Sequence, residues 1–257
     1  INDKPSSQIA LGKIIKIIWL TPMMDRIWVE SLSERRRFLD RIVMNYEPNH
    51  AKSCSVYNKA LYQRNRLLKD RVKDNSWYQA VETIMADSGY RIDQARRRAL
   101  VRLYDMQLIV SQTSKVDFPI AKMRLSNQEF KSVSDLGEML ARSRNNDMMS
   151  GRSLVGPHLT DLLVYHESKK IEARNCSTGE QKSLLISLFI SNAFSLKDFF
   201  GSTPILLLDE IVSHLDVEKL DFLFDELERL KAQTFFTATE SYSFDRIKER
   251  LQIFQIC

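Results

Sequence analysis

Several scarcities bound the answer before any motif is considered. Of 257 residues only 3 are cysteine (Cys54, Cys176 and Cys257), an odd number with no C-x-x-C pair. That count argues against both a disulfide framework and a cysteine-based zinc cluster. Glycine (7) and proline (6) are sparse and 44% of the chain is hydrophobic, so collagen-like, low-complexity and largely disordered classes are excluded. No run of 18 consecutive apolar residues occurs, so no membrane span is expected. The longest apolar stretches, 14–20 around Lys16 and 205–208, have the length of buried strands. No basic, apolar, small-residue leader opens the chain, which fits a cytoplasmic protein. The first residue is Ile1 rather than Met, the expectation for a fragment.

Charge is present but unevenly placed. The formal net charge is +5, yet residues 1–150 hold 26 Lys and Arg against 17 Asp and Glu, whereas residues 151–257 hold 12 against 16. Arg35, Arg36 and Arg37 with Arg41, Arg64 with Arg66, and Arg96, Arg97 and Arg98 with Arg102 supply much of the excess. Such clusters could follow a phosphate backbone or form the solvated faces of helices, so nucleic acid is a candidate partner.

Hydrophobic periodicity divides the chain. Residues 13–20 read as a strand ended by Thr21-Pro22. Ser31 and Glu34 then form a capping-box pattern, and helical spacing is expected to about 46, then at 51–70, 76–87, 90–111 and 133–145, with a strand around 118–125. After Gly151 strands and helices alternate: a strand at 161–166, a long apolar helix at 179–199, a buried strand at 204–208, a helix at 217–231, a strand at 234–239 and a short helix from Ser243. Alternation of this kind predicts an α/β layer that the first strand joins, with the helical segment inserted into it. Residues 1–30 are therefore expected to be the first part of a head, 31–150 a helical arm, and 151–257 the C-terminal part of the head.

Four local patterns carry candidate chemistry. Four apolar residues precede Asp209-Glu210, so a buried strand delivers two carboxylates to a sheet edge, where one could hold magnesium and the other orient a water. Ser177-Thr178-Gly179-Glu180-Gln181 opens the long helix, both a capping box and an anion-binding helix start. Ser213-His214-Leu215-Asp216 precedes the next helix, and the strand from Gln233 ends in polar Thr237, Ala238 and Thr239.

Signature helix, acidic strand, S-x-L-D and a strand ending in a polar residue follow in the order seen in ABC-type ATPase heads. Within that class the chain resembles the RecF family, bacterial recombinational repair ATPases related to SMC proteins. Ser33 to Asp40 resembles its S-x-x-R-R-x-F-L-D segment. Tyr57 to Lys69 resembles its Y…Q-R-N-x-L-L-K helix, and Gly156-Pro157-His158 with Asp161 resembles its G-P-H-R-D-D motif. The resemblance implies Asp209 as Walker B magnesium ligand and Glu210 as catalytic carboxylate. It implies Ser177, Thr178, Gly179, Glu180 and Gln181 as a signature reaching ATP in the opposite subunit of a homodimer. Ser213, Leu215 and Asp216 would form the D-loop, Thr239 the switch position, and Arg35, Arg36, Arg37 and Arg41 the leading DNA contacts. DNA (duplex, gapped or at single-strand junctions), RecO and RecR are the partners it implies, with RecA loading as the outcome.

Departures matter too. Leu159 and Thr160 stand where the family has Arg and Asp, and no G-x-x-x-x-G-K-[ST] phosphate loop occurs in the sequence. The expectation is therefore a head whose Walker A part was removed with its N-terminus, unable alone to hydrolyse ATP. A non-enzymatic DNA-binding or scaffold protein retaining an ATPase-like shell is the competing reading. Another SMC-like head is disfavoured, because the insertion shows no sustained heptads. A metal site on His158 and His166 lacks a converging third ligand, and His50 and His214 are expected at the surface or in loops.

Overall fold

In the computed structural model the chain runs β1 (Ile17–Leu20), α1 (Leu32–Tyr46), α2 (His50–Lys69), α3 (Asn75–Thr113), β2 (Ala121–Leu125), α4 (Val133–Ser150), β3 (Leu162–His166), β4 (Ile171–Glu172), α5 (Thr178–Phe200), β5 (Ile205–Asp209), α6 (Val217–Leu230) and β6 (Thr234–Thr237), with short 3-10 segments between. It describes residues 5, 12, 14–114, 118–211, 215–239 and 242–254. Two compact units emerge: a head unit of Ile1–Trp28, Leu103–Ala121 and Tyr165–Cys257, and a helical unit of Val29–Arg102 and Lys122–Val164. The sequence-based boundaries at 30/31 and 150/151 differ from this division. Residues 103–121 belong to the head unit, and 151–164, which carry the G-P-H stretch, belong to the helical unit.

The head sheet has the order β1–β5–β6, parallel throughout. Strand alternation sends Ile18, Leu20, Leu206 and Leu208 inward, each 5% exposed or less. The other face carries Trp19, Leu207 and Phe235, paired in register across all three strands and 38–53% exposed. The expectation of a buried strand at 204–208 is corrected here: Leu207 lies on the open face. Asp209 ends the open side of β5.

α5 is apolar almost all round and long enough to cross a membrane, but its side chains are mostly buried, so it is the core helix of the head unit. Phe118 stacks on Phe222 of α6 with ring centroids 3.7 Å apart.

In the helical unit, Tyr57, Ala60, Met85, Ala86, Ile92, Leu136 and Leu140 form the core. The two helices expected at 76–87 and 90–111 are one 39-residue helix. Ser88-Gly89 does not break it. A Cβ on Gly89 would meet Leu136 and Tyr57 at 3.0 Å, so this glycine permits close packing rather than a turn.

Candidate nucleotide site and its scaffold

The carboxyl ends of the head strands gather the acidic pair. Asp209 ends β5 opposite Thr237 of β6, and the Thr237 hydroxyl donates to Asp209 Oδ1 at 2.6 Å. Glu210 follows at φ 51, in the left-handed region that a residue with a side chain occupies at a cost. Its backbone N–H reaches the carbonyl and the hydroxyl of Thr237, both at 3.1 Å. Asp209 is exposed and only one of its oxygens meets Thr237, so the donor set suits a hard divalent cation such as magnesium.

The start of α5 is a complete capping box. The Glu180 carboxylate accepts from the Ser177 N–H at 2.8 Å and from the Ser177 hydroxyl at 2.9 Å, while Glu180 N–H returns to Ser177 Oγ. Hydrogen bonds from Lys169 and Ser177 hold the Glu180 carboxyl down to about 2. Thr178 is exposed and Gly179 half-buried. Gln181, expected among the signature residues, is buried and braces the turn before the helix. Its buried amide donates to the carbonyl of Cys176 at 3.0 Å, and Trp28 Nε1 donates to the Gln181 backbone carbonyl at 2.9 Å.

Asp216 caps α6 by accepting from the Lys219 N–H at 3.0 Å and pairs with the Lys219 ammonium. A Cβ on Gly179 would lie 3.5 Å from that ammonium, so the starts of α5 and α6 are neighbours. Lys219, a cation beside a helix N-terminus, was missed because nothing in its local sequence predicts that proximity. Leu215 is half-buried and Thr239 exposed, while Ser213 and His214 lie outside the described residues.

The remaining motifs converge in the helical unit as scaffold. Arg35 makes a bidentate pair with Asp161 at 2.7 and 2.8 Å, and both side chains are 10% exposed. Arg36 donates to the Thr160 carbonyl. Arg35 as a DNA contact is therefore corrected: its guanidinium is buried against a carboxylate. Arg41 is half-buried, and of the triplet only Arg37 has an exposed side chain, beside Glu34. Arg64 is fully buried among Glu82, Asp147, Ser153 and the Leu140 carbonyl, and Asn65 accepts from the N–H and hydroxyl of Ser153. Tyr57 donates to His158 Nδ1 at 2.7 Å, and His158 Nε2 donates to the Ser153 carbonyl. Burial pushes His158 down, consistent with a neutral ring locked in that tautomer. Gly156 at φ 132 leaves room for the Tyr57 hydroxyl, which a Cβ would strike. Leu159 is 48% exposed, whereas Thr160 is buried with its hydroxyl unpartnered.

Both ring nitrogens of His158 are thus engaged, leaving none for a metal. His50, expected at the surface or in a loop, instead begins α2 buried against Asp40, with Cys54 Sγ 3.5 Å from the same nitrogen. This is no ready metal site, since Arg96 binds both Asp40 oxygens and burial pushes the Cys54 thiol up to about 11.

A parallel strand ending in two carboxylates, a capped signature helix and an inserted helical unit define an ABC-type ATPase head. The comparisons narrow this further. The chain is 40% identical over 265 residues to the DNA replication and repair protein RecF of Rhizobium rhizogenes, covering all of this chain and 70% of that protein. It is 41% identical over 251 residues to the RecF of Mesorhizobium japonicum, covering 94% of this chain and 66% of that one. The solved structure of the recombination mediator protein RecF-ATPrS in the RecFOR pathway superposes at a TM-score of 0.75 and 25% identity, over 90% of this chain and 65% of that one. No protein-family profile matches. The chain belongs to the RecF family and spans about two thirds of the length of these relatives.

Proposed function

We propose that this chain is the larger part of an ATP-dependent DNA-binding ATPase that dimerises on ATP in the cytoplasm. It acts at gapped DNA, with RecO and RecR, to help load recombinase. The observation that carries this reading is the acidic pair held at the carboxyl end of β5 by Thr237, in a chain of this family. Asp209 would hold the magnesium ion, whose chemistry is to neutralise phosphate charge. Glu210 orients and deprotonates the attacking water, and the exposed start of α5 at Ser177, Thr178 and Gly179 meets the phosphates of the facing subunit. Asp216 sits at the same interface, Thr239 senses the nucleotide, and Arg37 is the member of the arginine triplet best placed for a phosphate backbone. The phosphate loop that such a site needs is not among the 257 residues.

The test is Glu210→Gln in the full-length gene product. ATP binding should survive and hydrolysis fall at least 100-fold, so that gel filtration with ATP shows a persistent dimer. Unchanged turnover in Glu210→Gln would favour the scaffold reading.

A further inference from the structure

One hydroxyl in the head unit touches both acidic residues. Thr237 Oγ1 donates to Asp209 Oδ1 at 2.6 Å and accepts from the Glu210 N–H at 3.1 Å. The parallel register sets Thr237 of β6 directly opposite Asp209, so the last residue of one strand can deliver its hydroxyl to the last residue of the other. Glu210 meanwhile stands at φ 51, a conformation that persists only where neighbouring groups hold it.

We propose that Thr237 is the positioning residue of this site, its hydroxyl bonding the Asp209 carboxylate and sharing the Glu210 backbone N–H with the Thr237 carbonyl. Its donated hydrogen bond stabilises ionised Asp209, turns Oδ1 inward and leaves Oδ2 for a divalent cation or its water. Its accepted bond, added to that of the Thr237 carbonyl, helps hold the Glu210 backbone, and so the direction in which the Glu210 side chain leaves the strand. Thr239 lies two residues further along the same segment, so displacement at that position is transmitted through Thr237 to the cation ligand and the base together. This inference rests on the nucleotide-hydrolysis reading and adds to it the link between β6 and the chemistry.

Valine matches threonine in shape and suits a strand equally well, so Thr237→Val removes the hydroxyl while keeping the fold. The experiment compares wild type, Thr237→Val and Thr237→Ser in the full-length gene product, reading ATP hydrolysis against Mg2+ concentration alongside the melting temperature. Valine should raise the Mg2+ concentration for half-maximal activity about tenfold, the loss of one hydrogen bond to a charged group. The melting temperature should stay within about 4 °C, and serine should restore the Mg2+ response to within about twofold of wild type. An unchanged Mg2+ half-point in Thr237→Val overturns the proposal, whether or not the maximal rate falls. So does a shifted half-point that serine fails to restore. A wild type without Mg2+-dependent hydrolysis would instead remove the ATPase reading itself, and the proposal with it.

Discussion

Arg35 is where the surface and scaffold readings of the arginine triplet part company, and its removal separates them. Arg35→Ala leaves Asp161 as a carboxylate only 10% exposed, facing the space its bidentate partner filled. Removing one partner of a buried pair costs about 3–5 kcal/mol, because the remaining charge is desolvated without compensation. At roughly 2–4 °C per kcal/mol for a domain of this size, the melting temperature should fall by about 6–20 °C. The assay is thermal melting followed by circular dichroism for wild type, Arg35→Ala, Asp161→Ala and the double variant. The double variant should be less destabilised than the sum of the singles, with a coupling energy of about 1–3 kcal/mol. Arg37→Ala, by contrast, removes a side chain 72% exposed and should change stability by no more than about 0.5 kcal/mol. An Arg35→Ala protein that melts with wild type, but whose DNA affinity loses part of its salt dependence, would refute the reasoning and return Arg35 to the DNA face.

Gly89→Ala should destabilise the helical unit by about 1 kcal/mol: alanine gains about 1 kcal/mol of helix propensity, but overpacking against Leu136 and Tyr57 costs about 1–3. A thermal melt at or above wild type would show that the contact relaxes freely. Asp40 gives a pH dependence. Burial pushes its carboxyl up, but His50 and Arg96 outweigh that and hold it at about 2, below its ordinary 3.8. A depressed folded pKa contributes stability present above the unfolded value and lost as pH falls through the folded one. The difference is worth about 2 kcal/mol and disappears between about pH 4 and pH 2. The gap in urea midpoint between wild type and Asp40→Asn should therefore narrow across that window, and a gap independent of pH would contradict the assignment.

Much of this was legible in the chain itself. Local rules placed the caps at Ser31 and Ser177, because a side-chain oxygen three residues before an amide is a short-range relation. The apolar run at 205–208 made β5 a strand ending in an acid, and the family motifs fixed the class of head. Less legible were the places where one residue type serves opposite ends. Gly89 falls in the gap left between two expected helices and serves as a close contact inside α3, because the side chains it makes room for, Tyr57 and Leu136, come from other helices.

The sequence by itself determined most of the elements, their order and the acidic pair at the end of β5, since each depends on neighbours within a few positions. Tertiary structure alone decided which charges are buried. It set Arg35 against Asp161, 126 residues on, and made Arg64 a fully buried hub. It likewise placed Thr237 on Asp209, through strand pairing across 28 residues. The physical reason is that a charge or hydroxyl takes its role from the groups that desolvate and pair it, and those arrive from distant segments only when the chain has folded.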